Sequence, residues 1–258
     1  MFGISHLSIV PVRSIPSDSA EMVTQLLLGD TFEILESRNG WELIRITFDG
    51  YEGWIDKKQY LPLKSSEFES IQRSPQAISL ELVYNSKDSN GEPLLITFGS
   101  TLPGFNGSSF SIGEKSFIFS GKSSLSNEKK DAANVVETAL SLVNIPYQWG
   151  GRSPFGIDCS GFVQLICKVN GINLPRDASD QSAIGTTIDF VAEAQPGDLA
   201  FFDNSEGSIV HVGILVAPDR IIHASGMVRL DMFDHNGIYN SGLGCYSHKL
   251  RLIKRVVS

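Results

Sequence analysis

The sequence predicts small β-barrels followed by a larger α+β domain, and three patterns along its 258 residues support this division. Up to about residue 121, short apolar runs alternate with turn residues at the spacing of short strands. Helical periods then flank a loop rich in Gly and Pro. Four strand-like runs follow, and a helix packed on an antiparallel sheet makes an α+β domain.

The N-terminal half predicts two barrels, over residues 1–63 and 66–121. In the first, apolar residues alternate along LIRITF, and the turn FDG leads into YEGWI. In the second, the strand-like runs are ELVYN, PLLITF and SFIFSG. The polar segments 64–69 and 121–128 are predicted to be linkers.

The third predicted domain covers residues 126–258 and begins with two helices. The first helix is predicted from Ser126, and its apolar face holds Ala132, Val135, Val136, Ala139, Leu140 and Val143. The second lies in DCSGFVQLICKVNGI, where one face holds Phe162, Leu165, Ile166 and Val169. Asp158 stands at the N-cap position and Gly171 at the end, so Cys159 falls in the first turn. The predicted strands are DLAFF, SIVHVGILV, RIIHAS and KLRLIKRVV.

Composition limits the function. A net charge of −8 argues against a nucleic acid or an anionic membrane as partner, because both would be repelled. We see no export signal and no run of 18 apolar residues, so a cytoplasmic protein is expected unless a leader has been removed. The three cysteines form no CxxC pair, which argues against a disulfide framework or a structural zinc site.

Cys159 is the first candidate catalytic residue. The helix dipole and the unpaired N–H groups at a helix start stabilise a thiolate, the form that attacks a carbonyl carbon. The alternative is a buried structural cysteine, since free cysteine is often buried. We assign that structural role to Cys167, in the middle of the helix, while Cys245 has no visible partner.

Two of the five histidines, His211 and His223, interrupt apolar strands, where a polar side chain is costly unless it is hydrogen-bonded or used. With Cys159 they fit the nucleophile, base and orienting group of a cysteine protease. The turn APDR between them predicts neighbouring hairpin strands, but the register, and so the shared face, stays open. A zinc site on the same three residues is the competing interpretation.

Five motifs in this half resemble, in order, those of the NlpC-type cysteine peptidases of bacterial cell-wall metabolism: GGRSPFGIDCSGFVQ, LPRDAS, PGDLAFF, IVHVGI and RIIHASG. YEGWI resembles the bacterial SH3-like domains that accompany these peptidases. The chain is most similar to the two-barrel γ-D-glutamyl-L-diamino acid endopeptidases, also called dipeptidyl-peptidase VI. The resemblance implies a papain-like catalytic domain, whose helix carries the nucleophile, after two SH3-like barrels.

The resemblance also assigns catalytic roles. Cys159 becomes the nucleophile, His211 the base and His223 the group that orients its ring. Tyr147, before WGG, would place its hydroxyl near the developing oxyanion, beside the backbone N–H of Cys159. One such donor is worth about 3–4 kcal/mol of transition-state stabilisation. A packed aromatic ring with a satisfied hydroxyl is the alternative for Tyr147.

A subsite for the dipeptide end of the substrate is implied as well. It would contain Asp177, Trp149 and, from the first barrel, Tyr51 together with an acidic residue for which Glu21 is the candidate. A buried carboxylate facing an ammonium selects a free N-terminus, so the barrels would cover the amine-binding end rather than anchor the protein to the wall.

Four residues near these motifs have open roles. Asp158 and Ser160 flank the nucleophile, and capping is as plausible for them as substrate contact. Ala178 stands where many relatives have Ser after the LPRD aspartate, so one hydrogen bond to the amine is missing or comes from Ser179. Arg176 binds the α-carboxylate of γ-linked D-Glu or braces its loop, and we favour the brace.

The predicted function is hydrolysis of the γ-D-Glu to L-Lys or diaminopimelate bond in murein tripeptides or tetrapeptides that have a free N-terminal L-Ala, during wall-peptide recycling. No metal, other cofactor or obligate protein partner is expected. The alternatives are an acyltransferase or lipid amidase on the same fold, and a non-catalytic wall-binding protein.

Overall fold

The computed structural model describes residues 1–257, and its internal contacts divide the chain into two units. The first unit contains Met1–Glu128 together with Trp149–Pro154, and the second contains Lys129–Gln148 and the chain from Phe155 onward. Residues 149–154, predicted to belong to the catalytic region, therefore group with the barrel region.

Seven antiparallel strands form the first barrel region, in the order β3-β2-β6-β5-β4-β1-β7. Alternating side chains from these strands build a core of residues such as Val10, Leu26, Phe32 and Ile44. The strands are β1 (Phe2–Ile4), β2 (Ile9–Arg13), β3 (Met22–Leu27), β4 (Thr31–Arg38), β5 (Trp41–Ile46), β6 (Glu52–Asp56) and β7 (Leu61–Leu63).

The next segment of the first unit has a helix and three small sheets. Helix α1 (Ser65–Gln72) begins in the predicted linker 64–69 and extends beyond it, and the Glu67 carboxylate accepts the Lys64 backbone N–H at 2.8 Å. The sheets pair β9 with β10, β12 with β13, and β8 with both β11 and β14. Strand β14 falls in the other predicted linker, so neither segment is an irregular connection. The strands are β8 (Ala77–Ser79), β9 (Val83–Lys87), β10 (Pro93–Thr97), β11 (Thr101–Leu102), β12 (Ser109–Ile112), β13 (Lys115–Ile118) and β14 (Ser123–Leu125), and β15 (Arg152–Ser153) completes this unit.

The second unit is a closed antiparallel sheet with short helices. Strands β18 to β23 follow each other around the sheet, and it closes because the long strand β23 pairs with both β18 and β22. Strand β17 pairs with the C-terminal end of β23. The bounds are β16 (Gly156–Ile157), β17 (Thr186–Ile188), β18 (Leu199–Asp203), β19 (Ile209–Ala217), β20 (Arg220–Ser225), β21 (Met227–Asp234), β22 (Gly237–Asn240) and β23 (Cys245–Arg255).

Helices α2 (Ala132–Leu140), α3 (Cys159–Val169) and α4 (Ala178–Gln181) complete this unit. The first predicted helix starts late, because Asp131 and not Ser126 caps it, and its buried residues are Val135 and Ala139. The second predicted helix is confirmed, since Asp158 accepts the Gly161 N–H at 2.7 Å and α3 is buried along its whole length. Over residues 1–257, no helix is long and apolar enough to cross a membrane.

Candidate active site

Cys159 is the first residue of α3 and is buried. Backbone N–H groups of Val212 and Ser160 donate to its sulfur, but burial and the Asp158 carboxylate dominate and raise the pKa of the thiol to about 11. We expected a thiolate stabilised by the helix start. The structure instead favours the neutral thiol, because burial penalises the charged form more than the N–H groups stabilise it.

A buried ion pair braces the residues on both sides of this cysteine. Arg176 makes a two-point pair with the Asp158 carboxylate, and its Nη1 also donates to Ser160 Oγ at 2.8 Å. Asp158 meanwhile caps α3. Capping and bracing therefore occupy the functional groups of Asp158, Ser160 and Arg176, which are the structural alternatives considered for them.

The two strand histidines form a hydrogen-bonded chain with a carboxylate. His211 Nε2 lies 2.8 Å from His223 Nδ1, and His223 Nε2 lies 2.9 Å from Asp231 Oδ2. All three side chains are buried. Arg229 Nη2 donates to the second oxygen of Asp231 at 2.8 Å.

A bulge decides that the histidines share one face of the sheet. At the hairpin turn Ala217 pairs with Arg220, whereas further along Leu215 pairs with Ile221. Val216 is therefore an extra residue, and it shifts the register by one. His223 consequently lies opposite Gly213, on the same face as His211.

Asp231 is the residue that our sequence interpretation missed. It lies in VRLDMFD on β21, where Asp231 and Phe233 are buried and Leu230 and Met232 are exposed. A carboxylate at an inward position of an alternating strand is costly unless it is paired. The sequence contains this signal, but identifying Asp231 as an inward residue requires knowing which residues of the strand face the core.

The hydrogen-bond chain fixes the tautomers. An ionised Asp231 only accepts hydrogen bonds, and although burial opposes this form, hydrogen bonds from His223 and Arg229 keep its pKa below the ordinary value. His223 therefore carries its proton on Nε2, its Nδ1 accepts from Nε2–H of His211, and His211 Nδ1 keeps a lone pair. Burial, then repulsion by His248 and His223, hold the pKa of His211 well below its usual value, so the ring is neutral.

Tyr147 is half-buried and lies in a short parallel bridge with Ile157. Burial, then the neighbouring Cys159 and Asp158, raise the pKa of its phenol to about 12. The hydroxyl therefore stays protonated at neutral pH and can donate a hydrogen bond. Its oxyanion role stays a prediction.

A third histidine adjoins His211. The His248 ring stacks on that of His211, with centroids 4.1 Å apart and planes 23° apart. One nitrogen from each of three rings lies within 4.8 Å of the others: His211, His223 and His248. This spacing is compatible with a bound metal ion. Coordination needs an ion in the plane of each ring, however, and two stacked rings cannot both meet that condition for one ion.

The first unit holds three of the predicted substrate-binding residues. Trp149 Nε1 donates to Glu21 Oε1 at 2.6 Å, although the Trp149 residue is 62% exposed. Tyr51 packs against the barrel core. The structure thus brings Glu21 and Trp149 together.

Buried Arg152 attaches the Trp149 segment to the barrel. Its guanidinium pairs with Asp30 and lies 4.0 Å from Asp49, and its backbone N–H donates to Gln25 Oε1 at 2.8 Å. Gly150 has φ of +72°, and a Cβ there would lie 2.0 Å from the Met22 carbonyl oxygen. Only glycine fits this approach.

The remaining predicted residues lie in the second unit. Asp177 is half-buried at the start of α4, directly before buried Ala178, and Ser179 is exposed. Cys167 is fully buried, as predicted, and burial raises the pKa of its thiol to about 12. Cys245 is exposed, and no cysteine among residues 1–257 forms a disulfide.

Comparison with known proteins finds relatives for both halves of the chain. A sequence model of the NlpC/P60 family matches residues 144–244, and a model of the bacterial dipeptidyl-peptidase Sh3 domain matches residues 12–59. The chain is 31% identical over 219 residues to the gamma-D-glutamyl-L-lysine dipeptidyl-peptidase of Bacillus subtilis, covering 78% of this chain and 71% of that protein. It is 28% identical over 241 residues to dipeptidyl-peptidase 6 of Lysinibacillus sphaericus, covering 81% and 82%. The crystal structure of an NlpC/P60 family protein from Bacillus cereus superposes with a TM-score of 0.84 at 21% identity, covering 100% of both chains, which shows a common fold.

Proposed function

Since the chain belongs to the NlpC/P60 family and is a cysteine-type peptidase of the cell-wall class, we propose that it cleaves murein peptides after γ-linked D-Glu. The bond would join γ-D-Glu to L-Lys or diaminopimelate, in peptides with a free N-terminal L-Ala. Two relatives are named gamma-D-glutamyl-L-lysine dipeptidyl-peptidase, which supports this substrate.

The hydrogen-bonded chain from His211 through His223 to Asp231 carries the proposal. It leaves His211 Nδ1 as a neutral base for the thiol proton of Cys159. The sulfur then attacks the γ-carbonyl carbon, and His211 returns the proton to the leaving α-amine. Water hydrolyses the thioester in a second step, with His211 again as base.

The developing oxyanion needs donors that face it before the reaction starts. The backbone N–H of Cys159 and the hydroxyl of Tyr147 are our candidates. After burial, the neighbouring Cys159 and Asp158 raise the pKa of the Tyr147 phenol, which supports this choice. Each donor contributes about 3–4 kcal/mol in comparable sites.

Recognition of the free amine is the second part of the proposal. Asp177, at the start of α4 in the second unit, is the acidic group that we assign to the ammonium, while the role of Glu21 in the first unit stays a prediction. A carboxylate rewards a charged amine and penalises an acylated one. A role in recycling follows from this preference, because released peptides have free N-termini.

Peptide hydrolysis tests the proposal directly. The protein is incubated with L-Ala-γ-D-Glu-L-Lys and with its N-acetylated form, and mass spectrometry identifies the products. We expect L-Ala-γ-D-Glu and L-Lys from the free peptide, with kcat/KM about 100-fold or more above that of the acetylated peptide. Equal cleavage of both peptides would make the protein a general wall hydrolase.

A further inference from the structure

A groove in the second unit lies beside the catalytic histidines. It has a volume of about 640 Å³, and its wall includes Asp203, Asn204, Val210, Asn236, His248 and Lys249. We call it the strand-end groove, because Asp203 ends β18. None of these residues has a role in the steps described above.

Three β-bulges surround the strand-end groove. Val210 is the extra residue between β18 and β19, Arg251 between β18 and β23, and Ser247 between β22 and β23. Bulges interrupt a ladder and redirect side chains, and they concentrate near active sites. Here one bulge leaves Val210 51% exposed in the groove wall.

Asp203 is the group in this wall that indicates a ligand. Its side chain is only 5% exposed, and its Oδ1 is buried with no hydrogen-bond partner among residues 1–257. Arg251, whose side chain is 61% exposed, lies 3.8 Å from the other oxygen, Oδ2. A buried carboxylate with so little compensation is costly, which is the pattern of a site completed by a bound cation.

The position of the groove suggests which part of the substrate it contacts, namely the part that leaves after bond cleavage. His248 forms part of its wall and stacks on the base His211. The leaving amine must lie within hydrogen-bond reach of His211, because that ring returns the proton to it. The product that leaves with this amine therefore lies next to His211, and the groove adjoins His211 through His248.

We propose that the strand-end groove binds the L-diamino acid on the leaving side of the scissile bond, with Asp203 facing its side-chain ammonium. Lys249 in the same wall provides a positive charge for the carboxylate of that residue. This inference rests on the proposed function and assigns residues to the recognition of the second amine, which L-Lys and diaminopimelate share.

The test compares two substrates that differ only in this amine: L-Ala-γ-D-Glu-L-Lys and L-Ala-γ-D-Glu-L-norleucine. We expect the protein to prefer the lysine peptide by about 10- to 100-fold in kcat/KM. Asp203→Asn should lose most of this preference and change cleavage of the norleucine peptide by less than about threefold. Val210→Lys, at an exposed position that tolerates the change, should also lose the preference because it adds a repelling charge.

Free L-Lys and L-norleucine, tested as product inhibitors of the unaltered protein, give a measurement that depends on no variant. We expect L-Lys to inhibit more strongly. Equal cleavage of the two peptides, or equal losses on both in Asp203→Asn and Val210→Lys, would overturn the assignment while the proposed function stands. If the unaltered protein cleaves neither peptide, both proposals fail.

Discussion

His211 donates a hydrogen bond to His223 across 2.8 Å because one extra residue, Val216, shifts the pairing of their strands. If the strands kept the register that they have at the hairpin turn, with no bulge at Val216, the His223 side chain would lie on the opposite face of the sheet. Because both histidines lie on one face, Asp231 can orient both rings from one end of the row of hydrogen bonds. Asp231 thus controls which nitrogen of His211 can accept a proton.

Asp231→Asn is expected to lower kcat by about 100- to 10,000-fold while the fold is retained. An amide can donate to His223 Nε2, which would reverse the tautomers along the chain and place a proton on His211 Nδ1. Steady-state kinetics, with circular dichroism as the check on folding, measures the effect. Asp219→Asn, in the turn between the two histidine strands, is the matched control and should keep full activity. A small loss in Asp231→Asn would show that the tautomer is set elsewhere.

Alkylation of Cys159 by iodoacetamide should accelerate about tenfold per pH unit between pH 7 and 9. The sign follows from its pKa of about 11, because below that value the thiolate fraction rises with pH. The rate is measured in a Cys245→Ser background, since Cys245 is exposed. Cys159→Ala should abolish both labelling and turnover, whereas Cys167→Ala should change neither. A rate that is flat from pH 6 upwards would indicate a thiolate paired with an imidazolium.

Chelator treatment should leave peptide hydrolysis unchanged, because His211 Nε2 and His223 Nδ1 are hydrogen-bonded to each other rather than directed at an ion shared with Cys159. Activity before and after dialysis against EDTA measures this, with metal analysis of the protein alongside. Loss of activity that zinc alone restores would favour the zinc interpretation of Cys159, His211 and His223.

Asp177→Asn should lower kcat/KM on the free tripeptide. The loss should correspond to a transition-state free energy that is higher by about 2–5 kcal/mol. The loss on the N-acetylated peptide should be much smaller, because the ammonium partner is already absent. The four kcat/KM values form a double-mutant cycle, and Asp180→Asn on the same short helix is the control. Equal losses on both peptides would assign Asp177 a structural role.

Arg152→Met should lower the free energy of unfolding of the first unit by about 3–5 kcal/mol, because it removes the buried cation that pairs with Asp30 and lies 4.0 Å from Asp49. Urea denaturation followed by tryptophan fluorescence measures this. Arg73→Met removes an exposed ion pair with Glu69 and should have no measurable effect. An unchanged midpoint in Arg152→Met would mean that the buried pair adds no net stability.

The sequence by itself predicted the elements that depend on local patterns. The apolar period and the Asp158 cap define helix α3 and place Cys159 at its start, because helix periodicity and capping are local properties. Continuous apolar runs likewise predicted the strands that carry His211 and His223. The motifs around them carried the family resemblance.

Only the tertiary structure decided how distant groups combine. The bulge at Val216, the inward position of Asp231 and the stacking of His248 on His211 depend on strand register, which a one-residue change reverses. The Cys159 thiol differs from its prediction for a related reason. Its pKa reflects burial and the nearby Asp158 charge, and burial is a property of the whole fold rather than of the helix start.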